Sequence, residues 1–117
     1  MDLNNLRDEI YEDAVAHGLW EDADEFSKRY ADGYPAQEKE MRIAHSQRCL
    51  GTGLVFDEVE ELCESAEDCD VDGVQEELAD VIIMSLSVAG KLDIDIDAAV
   101  RRKMEINKGR AWKHGKE

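Results

Sequence analysis

Apolar residues recur three and four positions apart along this chain, and no segment of useful length alternates apolar with polar side chains. The first spacing places a stripe of apolar side chains on one face of an α-helix, whereas alternation would indicate a half-buried strand. The chain also has a single proline, Pro35, so little interrupts a helical pattern. We therefore predict an all-α protein.

The same pattern predicts six helices, separated by glycines and polar turns. They cover about residues 3–17, 21–30, 36–49, 54–67, 74–91 and 96–108. Gly51-Thr52-Gly53 is expected to separate the third helix from the fourth, and Asp95 is a good N-cap for the sixth. No repeat, low-complexity segment or linker divides the 117 residues, which is the usual size of one domain. We predict a single domain over residues 1–117.

The charge balance limits the partners of this chain. There are 29 acidic and 14 basic side chains, a net charge of −15, and such a surface repels the phosphates of nucleic acids and of anionic membranes. We expect neither partner, and no apolar stretch approaches the roughly 20 residues of a membrane span. Three cysteines without CxxC spacing and an acidic N-terminus that is unlike a signal peptide favour a reduced, cytoplasmic chain.

Two of the predicted helices carry carboxylates inside their apolar stripes. Glu58 lies on the same helical face as Val55 and Leu62, and Asp80 is the only charged residue between Leu78 and Ala89. A carboxylate in such a setting must be paired, protonated or bound to a metal ion. Glu61 and Glu77 stand three positions from Glu58 and Asp80, which puts each pair on one face. Because the linker is short, the two helices are expected to be antiparallel neighbours, so the four acids converge.

Oxygen ligands of this kind favour Mg²⁺, with Mn²⁺ as a possible substitute. A di-iron bundle would need an ExxH motif, and no glutamate stands three positions before any histidine of the chain. The alternative is a group of acids at the rim of a bundle or against a partner chain. A magnesium–carboxylate cluster typically holds phosphate.

The C-terminal segment is basic, unlike the rest of the chain. Lys103, Asn107 and Arg110 follow one another at i, i+4 and i+7, so they line one helical face and are candidates for holding an anion. Ordinary surface charge is the alternative for these side chains. Trp112 is a candidate for stacking on a nucleobase, or alternatively a hydrophobic plug at the end of the helix.

The order of these residues resembles the EExxE…ExxD signature of MazG-like all-α nucleoside triphosphate pyrophosphohydrolases. Asp57-Glu58-Val59-Glu60-Glu61 matches the first part, with aspartate in place of the first glutamate, and Glu77-Leu78-Ala79-Asp80 matches the second. Residues 99–108 and Arg110-Ala111-Trp112-Lys113 are similar to the closing helix of that family. The similarity covers about residues 54–115.

The resemblance implies a helical bundle completed by dimerisation, as a homodimer or a dimer of dimers, with active sites near the subunit interface. Residues 54–115 would form the metal- and phosphate-binding core, and the role of the N-terminal helices in residues 1–53 is open. The implied reaction is Mg²⁺-dependent hydrolysis of a nucleoside triphosphate between the α and β phosphates, which gives the monophosphate and pyrophosphate.

The resemblance also implies roles for particular residues. The metal ligands would be Glu58, Glu61, Glu77 and Asp80, and Glu61 is the candidate for accepting the proton of the attacking water. The phosphate chain would be held by Lys103, Asn107 and Arg110. Candidates for contacts with the base are His17, Trp20 and Trp112. Alternatively, His17 is a residue at a helix C-terminus favoured by the helix dipole, and Trp20 is a core aromatic residue.

Two further interpretations stay open on the sequence. One is a narrower relative with the same metal chemistry and a different base pocket, namely a dUTP or dCTP pyrophosphatase or a phosphoribosyl-ATP pyrophosphohydrolase. The other is a non-catalytic, dimeric helical interaction module with an acidic face, which would show no magnesium-dependent turnover.

Overall fold

The computed structural model describes residues 2–110, which contain five α-helices, one 3₁₀ turn and no strand. The helices are α1 (Leu3–Ala16), α2 (Glu21–Ala31), α3 (Lys39–Glu67), α4 (Val71–Lys91) and α5 (Ile96–Lys108), and the 3₁₀ turn covers Ala36–Glu38. The prediction of an all-α fold is confirmed for this part of the chain. None of these helices is long and apolar enough to cross a membrane.

The predicted break at Gly51-Thr52-Gly53 is wrong, because α3 runs without interruption for 29 residues. Gly51 is buried against α4, and a Cβ atom at this position would lie 2.9 Å from Cγ1 of Val88. This glycine therefore permits a close approach of two helices instead of ending one. α4 begins at Val71, three residues earlier than predicted, behind the N-cap Asp70, whose side chain accepts a hydrogen bond from the backbone of Gly73.

The short turn after Glu67 folds α4 back along α3, and these two helices form an antiparallel pair. α2 packs on α3, α1 packs on α4, and α5 contacts mainly α1. The junction of α1 and α5 is polar: Asn4 donates to Oδ1 of Asp95 at 2.8 Å and accepts from the backbone of Ile96 at 3.0 Å. Asp95 is the N-cap of α5, as the sequence predicts.

The core lies at one end of the α3–α4 pair. Trp20, Ala31, Leu86 and Ala89 are buried there, and Nε1 of Trp20 donates to Oγ of Ser87 at 3.1 Å. The other end, formed by the N-terminal half of α4 and the C-terminal half of α3, is open to solvent and exposes Leu78, Ile82 and Phe56 among other apolar side chains.

Candidate metal centre

The antiparallel α3–α4 pair brings the four predicted carboxylates together at its open end. Glu58 of α3 and Glu77 and Asp80 of α4 each place one oxygen within 4.8 Å of the others. Glu61 lies beside Glu58 and Glu77, close enough for its charge to act on both.

The electrostatics of the cluster favour a cation at its centre. Burial, followed by the charges of Glu61 and Asp80, raises the pKa of Glu58 above its ordinary value. Burial, followed by the charge of Glu61, raises the pKa of Glu77. Oε2 of Glu77 is also buried without a hydrogen-bond partner. Within residues 2–110, no lysine or arginine forms an ion pair with any of the four acids.

These residues fit a hard divalent ion. All donors are carboxylate oxygens, which Mg²⁺ and Mn²⁺ prefer. A bound cation would offset the mutual repulsion that raises the pKa of both glutamates, and it would give Oε2 of Glu77 the partner that it lacks.

Asp80 is exposed, which corrects the expectation, drawn from the apolar residues between Leu78 and Ala89, that its helix is apolar nearly all round and buried. α4 is buried only in its C-terminal half, around Leu86 and Ala89, whereas Leu78 and Ile82 beside Asp80 are about half exposed at 49% and 54%. The cluster is therefore open to solvent in the single chain, and a ligand can reach it.

The predicted phosphate-binding residues lie elsewhere in the single chain. Lys103 and Arg110 are exposed and Asn107 is half-buried, and their helix α5 packs mainly on α1. No hydrogen bond or ion pair joins these three side chains to the carboxylates in the described part of the chain. Within one chain, the structure does not bring this basic face to the acidic cluster.

The three candidates for base contacts have different surroundings. His17 is exposed at the C-terminal end of α1, where its Nδ1 lies 2.8 Å from the backbone oxygen of Asp13. Trp20 is a core residue with 2% of its surface exposed, and its N–H is already bonded to Ser87. Trp112 lies outside the described residues.

A groove of about 650 Å³ between α1 and α4 was not predicted from the sequence. On α4 it begins at Ile83 and Met84, one turn after Asp80, and extends to Ser87. On the α1 side, three acidic residues alternate with apolar ones, and the lining there is Leu6, Glu9, Ile10, Glu12, Asp13 and Ala14. Helical periodicity gives the inward face of each helix, but it does not show which two helices enclose a cavity.

A protein-family model described as MazG-like matches residues 55–117, more than half of the chain. The chain belongs to the MazG-like family. The matched segment of this MazG-like chain contains all four clustered carboxylates and α5.

A second comparison finds a partial relative of this MazG-like chain. This chain is 44% identical, over 36 residues, to a dATP/dGTP diphosphohydrolase of Cyanophage S-2L. That match covers 31% of this chain and 34% of the relative, so it spans about a third of the length of each. No solved structure is significantly similar to the chain.

Proposed function

We propose that this MazG-like chain hydrolyses a nucleoside triphosphate between the α and β phosphates, with Mg²⁺, and releases the monophosphate and pyrophosphate. The observation that carries the proposal is the convergence of Glu58, Glu77 and Asp80 within 4.8 Å, with a buried, unpartnered oxygen on Glu77. Membership of the family and the partial likeness to a dATP/dGTP diphosphohydrolase support this reaction.

In this proposal Glu58, Glu77 and Asp80 are the principal metal ligands and Glu61 borders them. Bound Mg²⁺ supplies Lewis-acid polarisation of the phosphates and lowers the pKa of a coordinated water. Glu61 is exposed at the edge of the cluster, beside Glu58 and Glu77, so it is placed to accept the proton of the attacking water. It would otherwise act as a fourth ligand.

The phosphates need cations that the cluster does not have. Because α5 packs on α1 within its own chain, we propose that α5 of a second copy supplies Lys103, Asn107 and Arg110 in a homodimer or a dimer of dimers. Phosphate oxygens accept hydrogen bonds from such side chains. These bonds stabilise the negative charge that develops on the leaving pyrophosphate. The exposed apolar side chains around the cluster support a second copy at this end.

The groove between α1 and α4 is the proposed nucleoside site, since it starts one turn beyond Asp80. The three acids on its α1 side repel phosphate and accept hydrogen bonds from the amino groups of a base. Because the partial relative carries the name dATP/dGTP diphosphohydrolase, purine deoxynucleoside triphosphates are the first substrates to compare with the others.

A pyrophosphate-release assay tests the proposal across the ribo- and deoxynucleoside triphosphates, with Mg²⁺, Mn²⁺ or no added metal. We expect metal-dependent formation of pyrophosphate and monophosphate. Asp80→Asn should abolish it, because the variant removes a charged ligand without changing the size of the side chain. Glu64→Gln is the matched control, since Glu64 is an exposed acid of α3 outside the cluster, and it should keep full activity.

Other results of this assay would contradict the proposal. Release of inorganic phosphate would place the cleaved bond elsewhere, and turnover that is unchanged by Asp80→Asn would remove the cluster from the reaction. If the folded protein turns over no nucleotide, the helical interaction module becomes the better interpretation.

A further inference from the structure

Away from the acidic cluster, α3 carries a histidine and a cysteine, two residue types that bind metal ions in proteins. Nε2 of His45 and Sγ of Cys49 lie 3.8 Å apart on successive turns of the helix, and both residues are exposed. Zinc binds imidazole nitrogen at about 2.0 Å and thiolate sulfur at about 2.3 Å, so two such donors on one tetrahedral ion stand about 3.5 Å apart. The two donor atoms are therefore already close to the separation that a shared ion requires.

We propose that His45 and Cys49 form a two-ligand site for Zn²⁺, with water completing the coordination. On binding, the thiol of Cys49 loses its proton to solvent as the Sγ–zinc bond forms. Nε2 of His45 donates its lone pair, so the proton of the neutral imidazole stays on Nδ1. No electron transfer takes place, and no further reactant is needed.

This site is separate from the candidate magnesium site. Cys49 precedes Glu58 by nine residues, which corresponds to about 14 Å along the axis of an α-helix and to nearly the opposite face. The donor atoms also differ: nitrogen and sulfur suit zinc, whereas the four carboxylates suit magnesium. The proposal consequently does not depend on the proposed hydrolysis.

Cys63 and Cys69 are controls for Cys49, because all three cysteines are free and exposed. Within residues 2–110, Cys49 has a histidine as a hydrogen-bond neighbour, whereas Cys63 and Cys69 have none. A thiol that binds metal only weakly and non-specifically would behave alike at all three positions. A two-ligand site requires Cys49 and His45 specifically.

Metal binding can be measured without any enzymatic assay. The full chain, reduced and metal-free, is titrated with Co²⁺, whose bond to thiolate gives a near-ultraviolet charge-transfer band, and Zn²⁺ is then added as a competitor. We expect the band in the wild type and its loss when zinc displaces cobalt. Cys49→Ser should abolish the band, and Cys63→Ser and Cys69→Ser should keep it.

A second set of variants separates the two ligands and the two sites. His45→Ala should weaken zinc binding at least about tenfold, the lower end of what even the loss of an outer-shell partner costs. His45→Gln gives a second test with a side chain of similar length, and the circular dichroism of every variant shows whether its helices are intact. Asp80→Asn should leave the band unchanged, because it alters only the acidic cluster.

Three results would overturn the site. The first is a band that survives Cys49→Ser, and the second is an equal loss of the band in Cys63→Ser or Cys69→Ser. The third is displacement of Co²⁺ by excess Mg²⁺, since an ion that magnesium displaces is held by carboxylates.

Discussion

Through Glu58 and Glu77, the acidic cluster should make the free energy of unfolding depend on pH. Burial and the neighbouring charge of Glu61 raise the pKa of each above its ordinary value. A carboxyl group whose pKa is higher in the folded than in the unfolded chain binds more protons when folded. Its contribution to the free energy of unfolding therefore decreases as the pH rises from the unfolded pKa, about 4.3, through the raised folded value.

Glu77→Gln should remove part of this dependence, because the amide cannot ionise. We expect urea unfolding of the metal-free wild type to show a free energy of unfolding that falls over this pH range, and we expect a smaller fall in Glu77→Gln. Added Mg²⁺ at neutral pH should stabilise the wild type more than the variant, since it binds the ionised cluster.

Glu60→Gln is the control for charge alone, because Glu60 is an exposed acid of α3 outside the cluster. If Glu60→Gln and Glu77→Gln change the pH dependence of the free energy of unfolding equally, this dependence comes from the overall acidity of the chain and not from the cluster.

Sequence periodicity was sufficient to place Glu58 beside Glu77, because the i, i+3 geometry is local and a short turn makes two helices antiparallel. It could not predict the exposure of Asp80, which depends on which half of α4 is covered by another helix. CxxC spacing, the usual metal-binding pattern of cysteines, does not lead to the proposed pair of His45 and Cys49. Their i, i+4 spacing is the signal that could have found it.

At the scale of the element, α3 contains two glycines with different surroundings. A Cβ atom at Gly51 would meet Val88 at 2.9 Å, whereas one at Gly53 would have nothing within 4 Å. We expect Gly51→Ala to destabilise the chain by about 1–3 kcal/mol, as overpacking does. Gly53→Ala should stabilise it by about 0.5–1 kcal/mol, because alanine loses less backbone entropy in a helix.

Chemical denaturation of the two variants beside the wild type measures this difference. The substitution is the same and the positions are two residues apart, so each variant is the control for the other. If both substitutions destabilise the chain, residues 51–53 do not form a regular helix and the continuous α3 is wrong.

The start of α5 and the class of the fold were predicted from the sequence, since an N-cap such as Asp95 and the helical periodicity are local properties. The continuity of α3 was not predicted from the sequence. Glycine commonly ends a helix, and its cost inside one is small enough for packing to override it. At Gly51 the packing partner is Val88, 37 positions further along the chain, and nothing local to Gly51 reveals this contact.

The whole molecule is more extended than a compact domain of this length. Its radius of gyration is 17.0 Å, compared with about 13 Å expected for 117 residues. The described part of the chain buries few side chains completely, and Leu78, Ile82, Phe56 and Val59 are exposed at the end that carries the carboxylates. An apolar surface of this kind is typical of an interface, which is why we propose dimerisation around the cluster.

Ile82→Asn tests this proposal, because Ile82 is 54% exposed and stands two residues after Asp80. Burying an isoleucine side chain contributes about 1.5–3 kcal/mol, so its loss should raise the dissociation constant of the dimer roughly ten- to hundredfold. Sedimentation equilibrium measures that constant, and pyrophosphate release at fixed protein concentration should fall with the dimer fraction.

Val15→Asn is the control, since Val15 is similarly exposed at 48% but lies on α1. If the active sites need α5 of a second copy, the activity of Ile82→Asn should recover when the protein is concentrated enough to restore the dimer, because all its metal ligands are intact. Activity that stays low in the restored dimer would mean that Ile82 affects the metal site directly. A monomer with full activity would show that one chain holds a complete site, and the proposed role of the second copy would be wrong.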